Sequence, residues 1–192
     1  MSGLARPHLL GVKTLTPKGQ ISFARIPKRQ ALPLPTILPL DFGVRIRRAI
    51  RQDMPQWARL RKALWPDCSV ADSEQDITKF LSQPERYETF VAADGNRLVG
   101  FLEASLRNYA PKCKTSPVGF IEGWYVAPQY RRSGVGRALV EAAERWAAGK
   151  GWTEMASDAL LENTLSHRAH KAIGYDEVER QVCFRKVLRA RK

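Results

Sequence analysis

What this chain has little of narrows its reading first. Its 192 residues hold three cysteines, Cys68, Cys113 and Cys183, far apart and with no Cys-x-x-Cys pair. An odd, scattered set supports neither a disulfide framework nor a cysteine-bound zinc site, and it points to a reducing compartment. No apolar run approaches the ~18 residues that a membrane-spanning helix needs. The N-terminal stretch also lacks the uninterrupted apolar segment of a secretory signal. These absences predict a cytoplasmic protein with no membrane partner. Acid is scarce as well: 19 Asp and Glu face 32 Lys and Arg, a formal charge of +13. Such a chain attracts polyanions, whether nucleic acid, an anionic membrane surface or a phosphorylated cofactor. No Lys/Arg block forms a stripe and no nucleic-acid motif is present, so nucleic acid is not expected as a partner.

What is present divides at residue 43. Residues 1–43 contain Pro7, Pro17, Pro27, Pro33, Pro35 and Pro39, which repeatedly interrupt any helix. They carry six basic residues and one acid, Asp41, a net +5. This segment reads as a poorly ordered basic tail. It shares its shortage of acids with organelle transit peptides, but it is poor in serine and too broken for an amphipathic helix. A docking arm or a misassigned start codon would look the same.

From Val44 the pattern becomes regular. Val44–Ile50 alternates and reads as a strand. Asp53 is placed to cap a helix running to about Trp65, and Asp72–Leu81 reads as a second helix. Tyr87–Ala93 and Leu98–Leu106 read as strands joined by a turn at Asp94-Gly95. Val118–Val126 is an apolar strand. Gly134–Lys150 then switches to helical spacing, with Val135, Leu139, Ala142, Ala143 and Trp146 on one face. Trp152–Ser157 reads as a strand, Glu162–Ile173 as a helix and Val178–Leu188 as a final strand. The predicted order, β-α-α-β-β-β-α-β-α-β, is a mixed α/β domain without internal repeats.

Between the strand ending at Val126 and the helix from Val135 lies Arg131-Arg132-Ser133-Gly134-Val135-Gly136-Arg137. A strand feeding a helix through a glycine-containing turn leaves several backbone N–H groups aimed at one spot, and the helix dipole adds positive character there. Gly134 and Gly136 would let an anion approach the backbone, and Arg131, Arg132 and Arg137 add formal charge. The stretch is neither a Walker loop, for want of Gly-Lys-Ser/Thr, nor a dinucleotide fingerprint, for want of a third glycine. It reads as a pyrophosphate cradle.

At these residues the chain resembles the GCN5-related N-acetyltransferases (GNAT). Arg131-x-x-Gly134-x-Gly136 is similar to their acyl-CoA loop, and Glu162-Asn163 followed by Ala172-Ile173-Gly174-Tyr175 is similar to their C-terminal signature. The resemblance covers about residues 44–188 and makes 44–192 an N-acetyltransferase domain. It implies a GNAT fold, an α/β arrangement in which a mixed, mostly antiparallel sheet is flanked by helices and splays between two central strands. Acetyl-CoA would lie in that splay as co-substrate. Val126 would pair with its pantetheine arm, Ser133 and the rest of 131–137 would hold the pyrophosphate, and Asn163 would bond the pantetheine end. No metal is implied.

Smaller pieces resemble one subgroup, the chromosomal-type aminoglycoside 6'-N-acetyltransferases of antibiotic resistance. They are Leu64-Trp65-Pro66, Phe120-Ile121-Glu122-Gly123, and Glu154-Met155-Ala156-Ser157-Asp158 with Glu162-Asn163-Thr164. An aminoglycoside is a polycation, so an acidic pocket is expected on a basic protein. The candidate acids are Asp72, Glu74, Asp76, Glu103, Glu122 and Asp158, with Glu122 and Asp158 flanking the expected splay. Each has a plainer reading: Asp158 would cap a turn, and Glu122 would pair with an arginine. Trp65 and Tyr109 are candidates to cover sugar faces, against simple core packing.

The chemistry needs a neutral amine. A carboxylate, Asp158 or Glu122, would accept its proton, and a strand N–H would stabilise charge on the thioester oxygen. Many family members carry a tyrosine on the Glu162–Ile173 helix that protonates the departing thiolate, and this chain has none. His167 and His170 stand there instead, three residues apart and without the further ligands of a zinc site. His170 would donate that proton, as a histidine with an ordinary pKa near 6.5 can, or it would merely pack while solvent does so. A polyamine, a protein N-terminus or a lysine remains an alternative acceptor. Non-catalytic acyl-CoA binding also remains open, and a homodimer is compatible with a family in which dimers are frequent.

Overall fold

The structure, a computed structural model, describes residues 43–188. The proline-rich tail therefore lies outside the described residues, apart from Gly43. Five strands and four helices follow: β1 (Arg45–Arg48), α1 (Met54–Leu64), α2 (Val70–Ser82), β2 (Tyr87–Asp94), β3 (Arg97–Arg107), β4 (Val118–Val126), α3 (Val135–Gly149), β5 (Met155–Ser157) and α4 (Thr164–Ala172). The sheet order is β1-β2-β3-β4-β5. The first three junctions are antiparallel and β4–β5 is parallel. This is the mixed, mostly antiparallel sheet that the sequence predicts.

Apolar alternation sends the two faces of the sheet to different helices. Phe90, Ala92, Leu102 and Ala104 pack with Leu139, Ala143 and Trp146 of α3. Val91, Ala93 and Phe101 pack with Trp57 and Ile77 of α1 and α2. Trp57, Phe90, Phe101 and Phe120 are fully buried, each worth roughly 1.5–3 kcal/mol of apolar transfer. The β2–β3 hairpin turns through Gly95 and Asn96, with Gly95 at φ +54°, in the left-handed region that glycine adopts at little cost.

Local details differ from the sequence reading. Asp53 stands at the start of α1, but its side chain caps no α1 N–H. Its carboxylate instead accepts from Ile50 N–H (2.8 Å) and from the Arg47 guanidinium (2.6 and 2.7 Å), because an arginine two residues beyond β1's start reaches it. The second helix starts earlier than expected, at Val70, since Ser69 accepts from the Asp72 N–H and caps it. The strand predicted over Val178–Leu188 does not form within this chain. That segment finds no sheet partner among the described residues, and Val182, Phe184 and Leu188 stand exposed, Phe184 at 92%.

Two irregularities in register shape the centre of the sheet. On β3, Val99 is skipped between the pairs Ala93–Leu98 and Ala92–Gly100. On β4, Glu122 is skipped between Ile121–Ala104 and Gly123–Glu103. Both are bulges, and a bulge re-aims side chains. The second turns Glu122 and Gly123, neighbours in sequence, towards the same side of the sheet. Glu122 meets Ser105 there, and Gly123 meets Trp65.

Candidate active site

The pairing of β4 with β5 covers only Gly119–Met155, Phe120–Ala156 and Ile121–Ser157. Beyond it the strands part. β4 runs on past the bulged Glu122, with Gly123–Val126 paired to β3 alone, while β5 stops at Ser157. The expected splay is therefore present, and its mouth is marked by the first residue past each end of the pairing, Glu122 and Asp158.

Loop 131–137 closes one side of the splay. A 3-10 turn over Pro128–Tyr130 leads in, Arg132 takes a left-handed φ of +62°, and Gly134 sits at +84° immediately before α3. No side chain caps α3, so its first N–H groups have no partner from that source, the arrangement that suits an anion. Arg131 Nε donates to the Val126 carbonyl (2.9 Å), Arg137 Nη2 to the Ala172 carbonyl (2.7 Å), and the Ser133 hydroxyl to the Tyr130 carbonyl (2.7 Å). These bonds fix the loop to β4 and to the end of α4. Gly136 also serves packing: a Cβ there would lie 3.0 Å from the Trp124 ring, so glycine lets α3 sit close to β4. Trp124 Nε1–H, buried beside Gly136, has no hydrogen-bond partner among the described residues.

The carboxylates sort themselves by partner. Glu103 is 1% exposed and accepts from Trp57 Nε1 (2.7 Å) and from the Arg61 guanidinium, which also reaches Asp76 (2.6 Å). Burial pushes the Glu103 pKa up, opposed by Arg61 and Trp57. Glu103 and Asp76 thus belong to a structural ion network and not to an acidic pocket, a correction to the wider set of candidate acids. The network also steadies Trp65, whose ring lies 4.7 Å from the Arg61 guanidinium, 6.2 Å from the Phe101 ring, and against Gly123. Trp65 is half-buried, and Tyr109 stands 71% exposed in the β3–β4 loop. Glu154 anchors that loop by accepting from the Lys114 and Thr115 N–H groups.

Glu122 accepts from Arg107 Nε (2.9 Å) and Nη2 (2.6 Å), and from the Ser105 hydroxyl. Its plainer reading, an arginine pair, is therefore observed. Asp158, on the exposed connection after β5, has its pKa raised chiefly by desolvation. Glu122 pushes it further up, while Arg107 and His170 pull it down. A carboxylate with a raised pKa is the better proton acceptor.

His170 lies within the splay. Its ring is 5.3 Å from Trp124 on β4, and its Nε2 is 2.9 Å from Ser157 Oγ at the end of β5. Nδ1 is 2.8 Å from the Ser166 carbonyl and donates to it, which leaves Nε2 facing the Ser157 hydroxyl. Asn163 spends its side-chain oxygen on the Ser166 N–H as the cap of α4 (3.0 Å). Sequence reasoning missed Arg107, Ser105 and Ser157. Arg107 and Ser105 belong to no motif and Ser157 only ends the strand within the 154–158 stretch, so the β3–β4 register and the α4 packing bring them in.

The splay, the uncapped helix start and the loop between them define the architecture of an acetyltransferase. The chain matches the Acetyltransferase (GNAT) family over residues 54–175 and belongs to that family. It is 45% identical over 153 residues to an aminoglycoside N(6')-acetyltransferase type 1 of Klebsiella aerogenes, covering 78% of this chain and all of that protein. A protein of the same description from Stenotrophomonas maltophilia is 44% identical over 141 residues, 73% of this chain and 91% of the relative. Among solved structures, AAC(6')-Iy in complex with the bisubstrate analog CoA-S-monomethyl-acetylneamine superposes with a TM-score of 0.72 at 38% identity, covering 76% of this chain and 99% of the other. The apo aminoglycoside 6'-N-acetyltransferase AAC(6')-IG of Acinetobacter haemolyticus gives 0.71 at 39%, covering 75% and 99%.

Proposed function

We propose that this protein transfers the acetyl group of acetyl-CoA to the 6'-amino group of aminoglycoside antibiotics. The observation that carries the reading is the acidic mouth of the splay, where Glu122 and Asp158 follow the last β4–β5 pair beside Trp65. The relatives 45% and 44% identical to it are aminoglycoside N(6')-acetyltransferases. A polycation brought to that mouth meets carboxylates on an otherwise basic chain.

The residues present fit acetyl-CoA. The uncapped start of α3, with Gly134 in a left-handed conformation and Arg131 and Arg132 beside it, suits a pyrophosphate. The stretch 122–126, unpaired on its β5 side, offers strand hydrogen bonds to an amide-bearing arm. Acetyl-CoA, when bound, supplies the activated acetyl group. Asp158 accepts the proton of the substrate ammonium, directly or through water, so that the amine is neutral. A backbone N–H of the 122–126 stretch stabilises developing negative charge on the acetyl oxygen. Trp65 offers a face for a sugar ring. No covalent enzyme intermediate is needed. The cytoplasm is the compartment that matches a chain whose three cysteines form no disulfide among the described residues, where also no helix is long and apolar enough to cross a membrane.

Mass spectrometry with site mapping tests this reading. Kanamycin- or tobramycin-like drugs should gain one acetyl group on the 6'-amine, and a similar drug with a 6'-hydroxyl should gain none there. Acetylation only of other rings, of polyamines or of peptides would overturn it.

The exposed 178–188 segment supports a homodimer. Val178, Val182, Phe184, Val187 and Leu188 leave apolar surface uncovered, and β5 is a terminal strand of the sheet. A strand-like sequence without a partner among the described residues is completed by a second copy. Light scattering should read twice the chain mass for the wild type and a monomer for Phe184→Glu. A wild-type monomer overturns the dimer.

A further inference from the structure

We infer that Arg107 is a specificity-determining residue, a resident cation that holds Glu122 and competes with the substrate's ammonium groups for it. The inference rests on the acceptor reading above and deepens it. Arg107 ends β3, opposite Val118 at the start of β4. From there it reaches four residues along β4 to Glu122 through two nitrogens, in the fork geometry of a guanidinium on a carboxylate. Its guanidinium also lies 3.3 Å from the centre of the Phe120 ring, which fixes the side chain on the Glu122 side of the sheet. The Ser105 hydroxyl donates to the same Glu122 oxygen that Arg107 Nε contacts. Neither group is sealed away: the side chains are 29% and 17% exposed, so a solute can reach the pair.

The position of the pair gives it consequences. Glu122 is the bulged residue at the mouth of the splay, so whatever binds it lies where an acceptor amine would arrive. Arg107 also acts on Asp158, the proposed proton acceptor. The charged groups facing Asp158 are Arg107 from β3, Glu122 from β4 and His170 from α4. Summed over Arg107, Glu122 and Asp158 alone, with both carboxylates ionised, the mouth carries one net negative charge with Arg107 in place. Without it the mouth carries two, and attraction for polycations rises.

The test measures steady-state kinetics of Arg107→Gln and Arg107→Lys against acceptors of increasing positive charge, with acetyl-CoA held saturating. In Arg107→Gln, KM for the acceptor should fall about three- to tenfold, most for the most highly charged drug and more at low salt. The acidic limb of its pH–rate profile should move to higher pH, because Asp158 loses a cation and keeps Glu122 beside it. Arg107→Lys, a point charge without the fork, should fall between the two. An equal or higher KM for every acceptor, or an unmoved acidic limb, in an Arg107→Gln protein with wild-type thermal stability overturns the proposal. If Arg107→Gln does not fold, Arg107→Lys decides by the same criteria. The substrate reading fails separately, by the wild type not acetylating a 6'-amine at all. Arg107 is then judged on a polyamine against a monoamine.

Discussion

Residues 131–137 and the Arg107–Glu122–Asp158 cluster both lean on β4, yet they are made of different material. The first is one contiguous stretch whose work is done by backbone N–H groups, a left-handed glycine and a helix start. The second joins the end of β3, a bulge in β4 and the exit of β5, and works through side-chain charge. The difference teaches which kind of change harms each. Backbone distortion should break the first and spare the second, and charge removal should do the reverse.

The largest expected effect is on the loop. Gly134→Asp places a side chain and a negative charge at a position with φ +84° that faces the helix start. The left-handed conformation alone costs roughly 1–2 kcal/mol for a residue with a Cβ. The rise in thermal midpoint that acetyl-CoA gives the wild type should vanish. An undiminished shift in a folded variant would remove residues 131–137 from the cofactor site.

Next comes the cluster. Asp158→Asn should lower kcat/KM by roughly 10²–10⁴-fold and leave the acetyl-CoA thermal shift intact. In the wild type, kcat/KM should fall as pH drops through the raised Asp158 pKa. The stability effect has a definite sign. A carboxyl whose folded pKa exceeds its unfolded value of about 3.9 favours the folded state most at low pH, where it is protonated. That contribution is lost as pH rises through the folded value. Asp158→Asn should therefore be at least as stable as wild type near neutrality, with the difference closing in acid. A midpoint that drops at neutral pH would make Asp158 structural.

A change of intermediate size separates shape from charge on the acceptor side. A Cβ at Gly123 would fall 2.5 Å from Trp65 Cη2, so Gly123→Ala must push the indole aside. Overpacking of this kind costs about 1–3 kcal/mol. KM for the aminoglycoside should rise several-fold while acetyl-CoA binding holds. An unchanged KM would leave Trp65 as core packing. The smallest effect is expected at His170, which is bonded at both ring nitrogens and packed on Trp124. His170→Gln should lower stability by ~1 kcal/mol through those bonds and change kcat only a few-fold. A large fall in kcat with the basic limb of the pH profile gone would instead make His170 the proton donor to the thiolate.

The order of elements from β1 to α4 and the turn before α3 were legible because each depends on neighbours in sequence, and the splay followed from the family resemblance. Amphipathic spacing sets α3, and the turn Arg132–Gly134 sets its start. The family resemblance put Glu122 and Asp158 on or just beyond neighbouring central strands, and each follows the last residue of the β4–β5 pairing. Glu103 misled, since nothing local distinguishes a carboxylate facing solvent from one that meets Arg61 and Trp57 across the sheet. Val178–Leu188 misled for a related reason: alternation identifies a strand-forming sequence, but a strand also needs an edge to pair with.

The amino-acid sequence by itself determined the local devices, namely the apolar periodicities, the glycine-started helix and the basic turn before it. Hydrogen bonding and packing over a few residues are enough to specify those. The tertiary structure alone decided which charges meet. One skipped residue in β4 turns Glu122 towards Ser105 and Arg107, and the parting of β4 from β5 leaves Asp158 close enough to feel both Arg107 and Glu122. Electrostatic pairing depends on separation in space, and for residues 107, 122 and 158 that separation is fixed by strand register rather than by spacing along the chain.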